Sequence, residues 1–335
     1  MLKNKLKEYS LRKEFREALE IPEGAELAFE LLAQGEYNMN YQFTHPASGK
    51  KLLLRVNTGS QMHLDHQIEY EYQALKQLEE SGRTPKVYYV DGSKSALPYG
   101  ISVMEFLPGV EMDYRKDLFQ GAEILADIHT TYVKADGGLI PSSNPCKEIL
   151  EECDQMFKVY EESELGEASK KIQIRKLLEL CKEKTAAMAD YAGYKCCINT
   201  ELNSTNFLIN ENGTSFLIDW EKPLYGDPGQ DLGHFLAPTT TFWKTDVILS
   251  EEETDAFLEY YIQCVNKRYD IGNLKERVGV FIPVTCMRAI TWCAMAWVEY
   301  QQPDRAIRNE STWKKLNDYL EQSFIDMIET RIKNM

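Results

Sequence analysis

Asn199-Thr200-Glu201-Leu202-Asn203-Ser204-Thr205-Asn206-Phe207-Leu208-Ile209, followed by Phe216-Leu217-Ile218-Asp219-Trp220-Glu221, decides how this chain is read. An acid, Glu201, stands five residues before Asn206. A second acid, Asp219, follows thirteen residues later at the end of an apolar strand. The turn Asn210-Glu211-Asn212-Gly213 joins the two short strands. Phosphoryl transfer needs these residue types. One carboxylate accepts or orients the hydroxyl proton of the substrate; an amide oxygen and another carboxylate hold Mg²⁺ against nucleotide phosphates.

Upstream the pattern is β-rich. Residues 26–32 are apolar-rich, a Gly turn follows at 33–38, and residues 40–44 and 51–56 read as strands about a turn at 46–49. Ile68, Tyr72, Leu75 and Leu78 predict an amphipathic helix over 66–81. Residues 87–90 and 101–106 are strand-like, so the order is β-β-β-α-β-β. After Leu107-Pro108-Gly109 the period becomes helical, over 117–133, 147–160 and 169–191. Short strands at 195–198, 207–209 and 215–218 interrupt it. From 251 to the end helical spacing returns, with breaks expected near Pro283 and Pro303. The fold class is therefore α+β: a small β-rich lobe, 1–107, then a larger helical lobe, 108–335. Leu2, Leu6, Leu11 and Phe15 suit one amphipathic helix over 1–19, docked on the surface of the first lobe.

Composition bounds the function. The 335 residues are 43% apolar and 27% charged, as in a globular chain with a sizeable core. A net charge of −15 argues against a general nucleic-acid binder, which needs surplus Lys and Arg. Residues 1–107 carry 13 basic and 15 acidic groups; residues 108–335 carry 25 and 38. A negative field over the second lobe would favour a cationic acceptor. No run approaches 18 apolar residues, so no membrane span or membrane partner is expected. The N-terminal stretch lacks the apolar core of a signal peptide. The eight cysteines form no CxxC pair and no zinc spacing, as expected of free thiols in a reducing cytoplasm.

The ordered motifs resemble the aminoglycoside phosphotransferase/choline kinase superfamily, whose members share the bilobal protein-kinase-like fold. Its catalytic loop reads His-Gly-Asp-x-x-x-x-Asn and its metal strand Ile-Asp-(Trp/Phe)-Glu. Ile218-Asp219-Trp220-Glu221, then Gly226-Asp227-Pro228 and Asp231-Leu232, look most like the choline and ethanolamine kinase branch. The resemblance spans roughly residues 28–236. It implies ATP and Mg²⁺ as cofactors, with Asn206 and Asp219 as metal ligands and Glu201 on the catalytic acid. It places Gly35 and Asn38 in the loop over the phosphates, Arg55 on the third strand against phosphate, and Glu71 as its helix partner. Residues 103–107, with Glu105 and Leu107, fall on the hinge whose backbone holds adenine. Leu125-Ala126-Asp127-Ile128-His129 resembles the family's Leu-Ala-x-Leu-His helix. Asp231 falls on an acid that orders the loop after the metal site.

Two positions depart from the family: Glu201 replaces its Asp and Asn199 its His. A Glu reaches about 1–1.5 Å further, and a misplacement near 1 Å costs about 10²-fold in rate. The implied activity is therefore transfer of a γ-phosphoryl group to an amino alcohol, aminoglycoside or sugar-like hydroxyl. The alternative is a pseudokinase-like nucleotide-binding module. Outside the motifs, His129 and His234 read as structural, Asp227 as a turn or cap residue, and Glu221 as a supporting or surface acid. Phe242, Trp243, Trp292, Trp297, Tyr300 and Trp313 read as core rings, with an ammonium cage as the alternative.

Overall fold

The computed structural model describes residues 2–186, 191–302 and 309–335. The chain opens with two short helices, α1 (Leu2–Tyr9) and α2 (Lys13–Ala18). Five antiparallel strands follow: β1 (Glu30–Gln34), β2 (Asn38–Thr44), β3 (Lys51–Asn57), β4 (Val87–Asp91) and β5 (Gly100–Glu105), in the order β1-β2-β3-β5-β4. Helix α3 (Gln67–Leu78) lies between β3 and β4 in the chain. Strand alternation divides β3: Leu52, Leu54 and Val56 enter one apolar cluster, while Arg55 and Asn57 project from the other face. That cluster joins Tyr41, Phe43, Ile101 and Val103 to Leu6, Tyr9 and Phe15 of the N-terminal helices.

The N-terminal stretch is not the single helix expected. It breaks at residues 10–12, where Leu11 is 67% exposed. The break lets Tyr9 and Phe15 both face the sheet. Phe15 meets Tyr9 and Tyr89 edge to face at 5.7 and 5.1 Å, and the Tyr9 hydroxyl donates to Asp91 (2.6 Å). The first strand also runs later than expected, at Glu30–Gln34, with Leu31 and Leu32 exposed.

The second lobe begins with β6 (Val110–Glu111) and α4 (Tyr114–His129), whose N-cap Asp113 accepts from the Arg115 N–H at 2.9 Å. Helices α5 (Pro145–Glu162) and α6 (Ala168–Thr185) follow; residues 187–190, at the end of the third expected helix, lie outside the described residues. Then come β7 (Cys196–Ile198), β8 (Phe207–Ile209), β9 (Phe216–Leu217) and β10 (Leu224–Gly226). Strands β6-β8-β9 form one small sheet and β10-β7 another. The remaining helices are α7 (Pro228–Leu236), α8 (Pro238–Thr245), α9 (Glu251–Val265), α10 (Leu274–Tyr300), α11 (Glu310–Tyr319) and α12 (Gln322–Lys333). Strands β6 and β10 have two and three residues and helices α7 and α8 nine and eight, too short for sequence periodicity to mark them.

Helix α10 runs unbroken through Pro283, against expectation. An interior proline costs about 3 kcal/mol. Burial of Phe281, Ile282, Val284, Met287 and Ile290 around it, at about 1.5–3 kcal/mol per large side chain, outweighs that loss. The break expected at Pro303 lies outside the described residues. By length and composition α10 could cross a membrane, but 67% of its apolar window is buried against the rest of the lobe, chiefly α5 and α7. All eight cysteines are free, and seven are buried. Trp313 stacks between Trp297 and Tyr300, and Trp243 meets Trp292 edge to face, so these rings fill one another's surroundings.

Phe15→Ala should destabilise the protein by about 3–5 kcal/mol in urea unfolding, because it empties the junction of helices and sheet. Leu11→Ala, one turn away and exposed, should change stability by no more than about 0.5 kcal/mol.

Candidate active site

The loop between β7 and β8 is built around one carboxylate. Asp231, in the first turn of α7, is fully buried. Its oxygens accept the N–H groups of Asn199 (2.7 Å) and Thr200 (2.8 Å), and His129 of α4 lies 3.2 Å away. The Tyr261 hydroxyl contacts the other nitrogen of His129 at 2.8 Å. Thr200 adopts a left-handed backbone (φ +68°), which a β-branched residue rarely does. Asp231 on its N–H, and its own hydroxyl donating to the Lys222 carbonyl (2.9 Å), hold it there.

Asn199 stands where a histidine was expected and braces the site through its amide. Its Nδ2 donates to the Asp219 carbonyl (2.9 Å) and its Oδ1 accepts the Glu201 N–H (3.0 Å). Asn206 Nδ2 donates to the Glu201 carbonyl (2.8 Å), and no hydrogen bond occupies the Asn206 amide oxygen among the described residues. Asp219 is also left-handed (φ +64°), a region Asp tolerates better than most residues. Its Oδ1 is buried without a hydrogen-bond partner and lies 3.7 Å from Arg55 Nη2. Two oxygen donors, one an orphaned carboxylate atom, fit a hard cation that takes its other ligands from phosphate and water. No group of three or more His, Cys, Asp or Glu forms a metal cage among the described residues.

Across the cleft, Arg55 and Glu71 form a buried ion pair, and Arg55 Nε donates to Asn40 (3.1 Å). Burial lifts the Glu71 carboxyl, while Arg55 pulls it back. Asn38 is buried rather than free in a loop. It donates to Glu221 and accepts from Asn57 (2.9 Å). Gln67 adds a bond to the Glu221 carbonyl (2.7 Å), so Glu221 ties the first lobe to the metal strand. Gly35 closes the β1–β2 turn, its N–H donating to the Asn38 carbonyl at 2.8 Å. Glu105 ends β5, its N–H bonded to the Lys86 carbonyl (2.8 Å). Leu107 follows in the connection between the lobes, and no bond engages its backbone among the described residues.

Glu201 is partly buried. Burial lifts its carboxyl above the ordinary range and Asp219 adds to the rise; Lys222, Arg288 and a hydrogen bond from Gln61 oppose it. Burial and Asp219 likewise lift Glu221. Gln61, Lys222 and Arg288 had not been singled out from the sequence. Lys222 directly follows the metal strand, the one local signal; Arg288 sits on α10, with none. Asp227 caps α7 through the Gly229 N–H (2.8 Å) and pairs with Arg277 (2.7 Å), so it is structural.

The model of the phosphotransferase enzyme family matches residues 28–269. The chain belongs to this family. Solved structures agree on the fold. A spectinomycin phosphotransferase in complex with ADP and spectinomycin is 13% identical, with 95% of this chain and 97% of that one covered and a TM-score of 0.63. An ethanolamine kinase from Plasmodium vivax is 14% identical, covering 91% and 83%, with a TM-score of 0.60. A choline kinase from Streptococcus pneumoniae is 19% identical, covering 91% and 96%, with a TM-score of 0.57. At such identities the likeness establishes the α+β protein-kinase-like architecture. No curated protein matches the chain.

His234 accepts the Leu202 N–H at 3.2 Å. Burial, then Arg288, pushes its pKa down to about 4 from 6.5. As pH falls through 6.5 the unfolded chain takes up a proton that the folded protein refuses, so stability declines until about pH 4 and then levels off. Between about pH 7.5 and 5 this group should remove about 2 kcal/mol. His234→Gln keeps an acceptor for Leu202 and should flatten that part of the acid slope in urea unfolding; an unchanged slope contradicts the assignment.

Proposed function

We propose that this chain is an ATP- and Mg²⁺-dependent kinase that transfers the γ-phosphoryl group to a hydroxyl of a small molecule. The observation that carries the reading is the orphaned Asp219 oxygen 3.7 Å from the buried Arg55, with Asn206 fastened to the Glu201 backbone through its Nδ2 so that its amide oxygen takes no hydrogen bond among the described residues. These are the oxygens that would hold Mg²⁺, which when bound offsets phosphate charge as the phosphoryl group moves. Residues 1–107 take the nucleotide. Arg55, kept in place by Glu71, supplies a fixed positive charge for phosphate; Gly35 and Asn38 shape the cover over it; Glu105 and Leu107 offer backbone to the base.

Glu201 takes the acceptor hydroxyl proton as the new O–P bond forms and the β–γ bridging bond breaks, releasing ADP. Its elevated pKa makes it a stronger base than an ordinary carboxylate. Asn199 fixes the Glu201 backbone from which that carboxylate projects. The acid surplus of residues 108–335 bears on a cationic acceptor only through a field that salt screens within about 8 Å. Free cysteines throughout support a reducing cytoplasm. The longer, partly buried Glu201 is also what favours the second reading, a module that binds nucleotide without transferring phosphate.

ADP release with ATP, Mg²⁺ and a panel of hydroxyl compounds should exceed background and vanish with EDTA or in Asp219→Ala. Glu201→Gln should lower kcat by about 10²–10⁴-fold. Thermal stabilisation by ATP–Mg²⁺ with no ADP release on any acceptor would leave the module reading standing instead.

A further inference from the structure

At Thr200, the residue before Glu201, the second lobe holds a partly open cavity of about 140 Å³. The start of α5, Lys222, α7 and α10 wall it. Two cations line this small volume. Lys222 is half-buried, and its ammonium makes no hydrogen bond or ion pair among the described residues. Arg288 gives Nε and Nη2 to Glu152 (2.8 and 3.1 Å), which leaves Nη1 without a hydrogen bond among the described residues.

His234 adds one more donor, while Ser142, Thr200, Gln230 and Thr285 bring groups that can donate or accept. Because His234 takes the Leu202 N–H on Nδ1, a neutral ring carries its proton on Nε2, at the cavity wall. Burial and the charge of Arg288 press the Lys222 ammonium below its ordinary value, against the pull of Glu152 and Glu201. Glu152 and Glu201 offset part of the charge of Lys222 and Arg288, yet neither bonds the Lys222 ammonium or Arg288 Nη1 among the described residues, and an incoming anion would. Glu152 is already committed to Arg288, and Glu148, the remaining acid of the lining, is exposed at the first turn of α5.

Resting on the kinase reading, we propose that this cavity is the acceptor site, and that its substrate is a small hydroxylated anion. Lys222 and Arg288 hold its carboxylate or phosphate while its hydroxyl meets Glu201. Size supports a molecule of a few carbons, since sites for drug-sized ligands run to about 300–1,000 Å³. Contact also outweighs the lobe's net negative field, which is screened over about 8 Å, whereas Lys222 would donate directly.

The test uses three compounds of one carbon frame: glycerate, glycerol and 2-aminopropane-1,3-diol. Each is titrated into nucleotide-free protein by calorimetry and assayed for ADP release with ATP–Mg²⁺. Glycerate should bind the wild type at least about tenfold more tightly than the other two, the worth of one charge-assisted hydrogen bond. Lys222→Met should raise the Kd and KM for glycerate by a similar factor while the KM for ATP stays within about twofold, and Lys222→Arg should restore binding. Glycerol or the aminodiol binding as tightly as glycerate overturns the proposal. So does an unchanged glycerate affinity in Lys222→Met, or no glycerate binding to the wild type. Lys222-dependent glycerate binding without ADP release supports the anion site and counts against the kinase reading. Turnover of the aminodiol in preference to glycerate does the reverse.

Discussion

The fully buried Asp231 carboxylate is the constraint on which the site depends. A charge removed from water must be matched by donors, and this one has two backbone N–H groups and a histidine. The match fixes the otherwise unfavourable left-handed turn at Thr200. That turn sets Asn199 so that its amide reaches both the Glu201 N–H and the Asp219 carbonyl. One chain of bonds thus runs from α4 through α7 and the loop to the metal strand. Glu201 and Asp219 share a single anchor.

The opposing side of the cleft is organised by charge imbalance. Glu71, Asp219 and Glu221 all act on Arg55, and Asp219 raises both Glu201 and Glu221. One guanidinium among so many carboxylates leaves a negative centre, which suits a divalent cation and explains why an Asp219 oxygen can remain without a partner. Asn38 and Gln67 fasten Glu221 to the first lobe, so the two lobes meet at the end of the metal strand. Deeper in the second lobe Lys222 and Arg288 share the cavity wall with Glu148 and Glu152, so the excess of carboxylates gives way to a near balance.

Much of this was legible in the order of residues. The spacing Glu201–Asn206–Asp219 lies within one loop–strand unit, so local sequence reports it directly. The period-2 pattern of β3 separated Arg55 from Leu54 and Val56, and α3 carried Glu71 at a position that proves buried. Errors arose where tertiary packing overrode local rules. Pro283 reads as a helix break, yet α10 continues through it with its neighbours buried. Leu11 reads as part of an apolar face, yet the chain turns there so that Phe15 and Tyr9 converge. Asp231 was expected to order the segment after the metal strand, and instead holds the loop before it.

The sequence by itself determined the family and the two-lobe order, and it set Glu201, Asn206 and Asp219 at fixed short separations within one loop–strand unit. Only the tertiary structure decided how the Asn199 amide braces the loop, which donors satisfy Asp231, and what lines the cavity beside the loop. Lys222 and Arg288 are 66 positions apart in the chain and meet only because α10 packs across α5 and α7. A net charge of −15 averages over the whole surface and is screened within a short distance. A cavity wall is read by direct contact, and contacts between distant segments have no counterpart in composition or spacing.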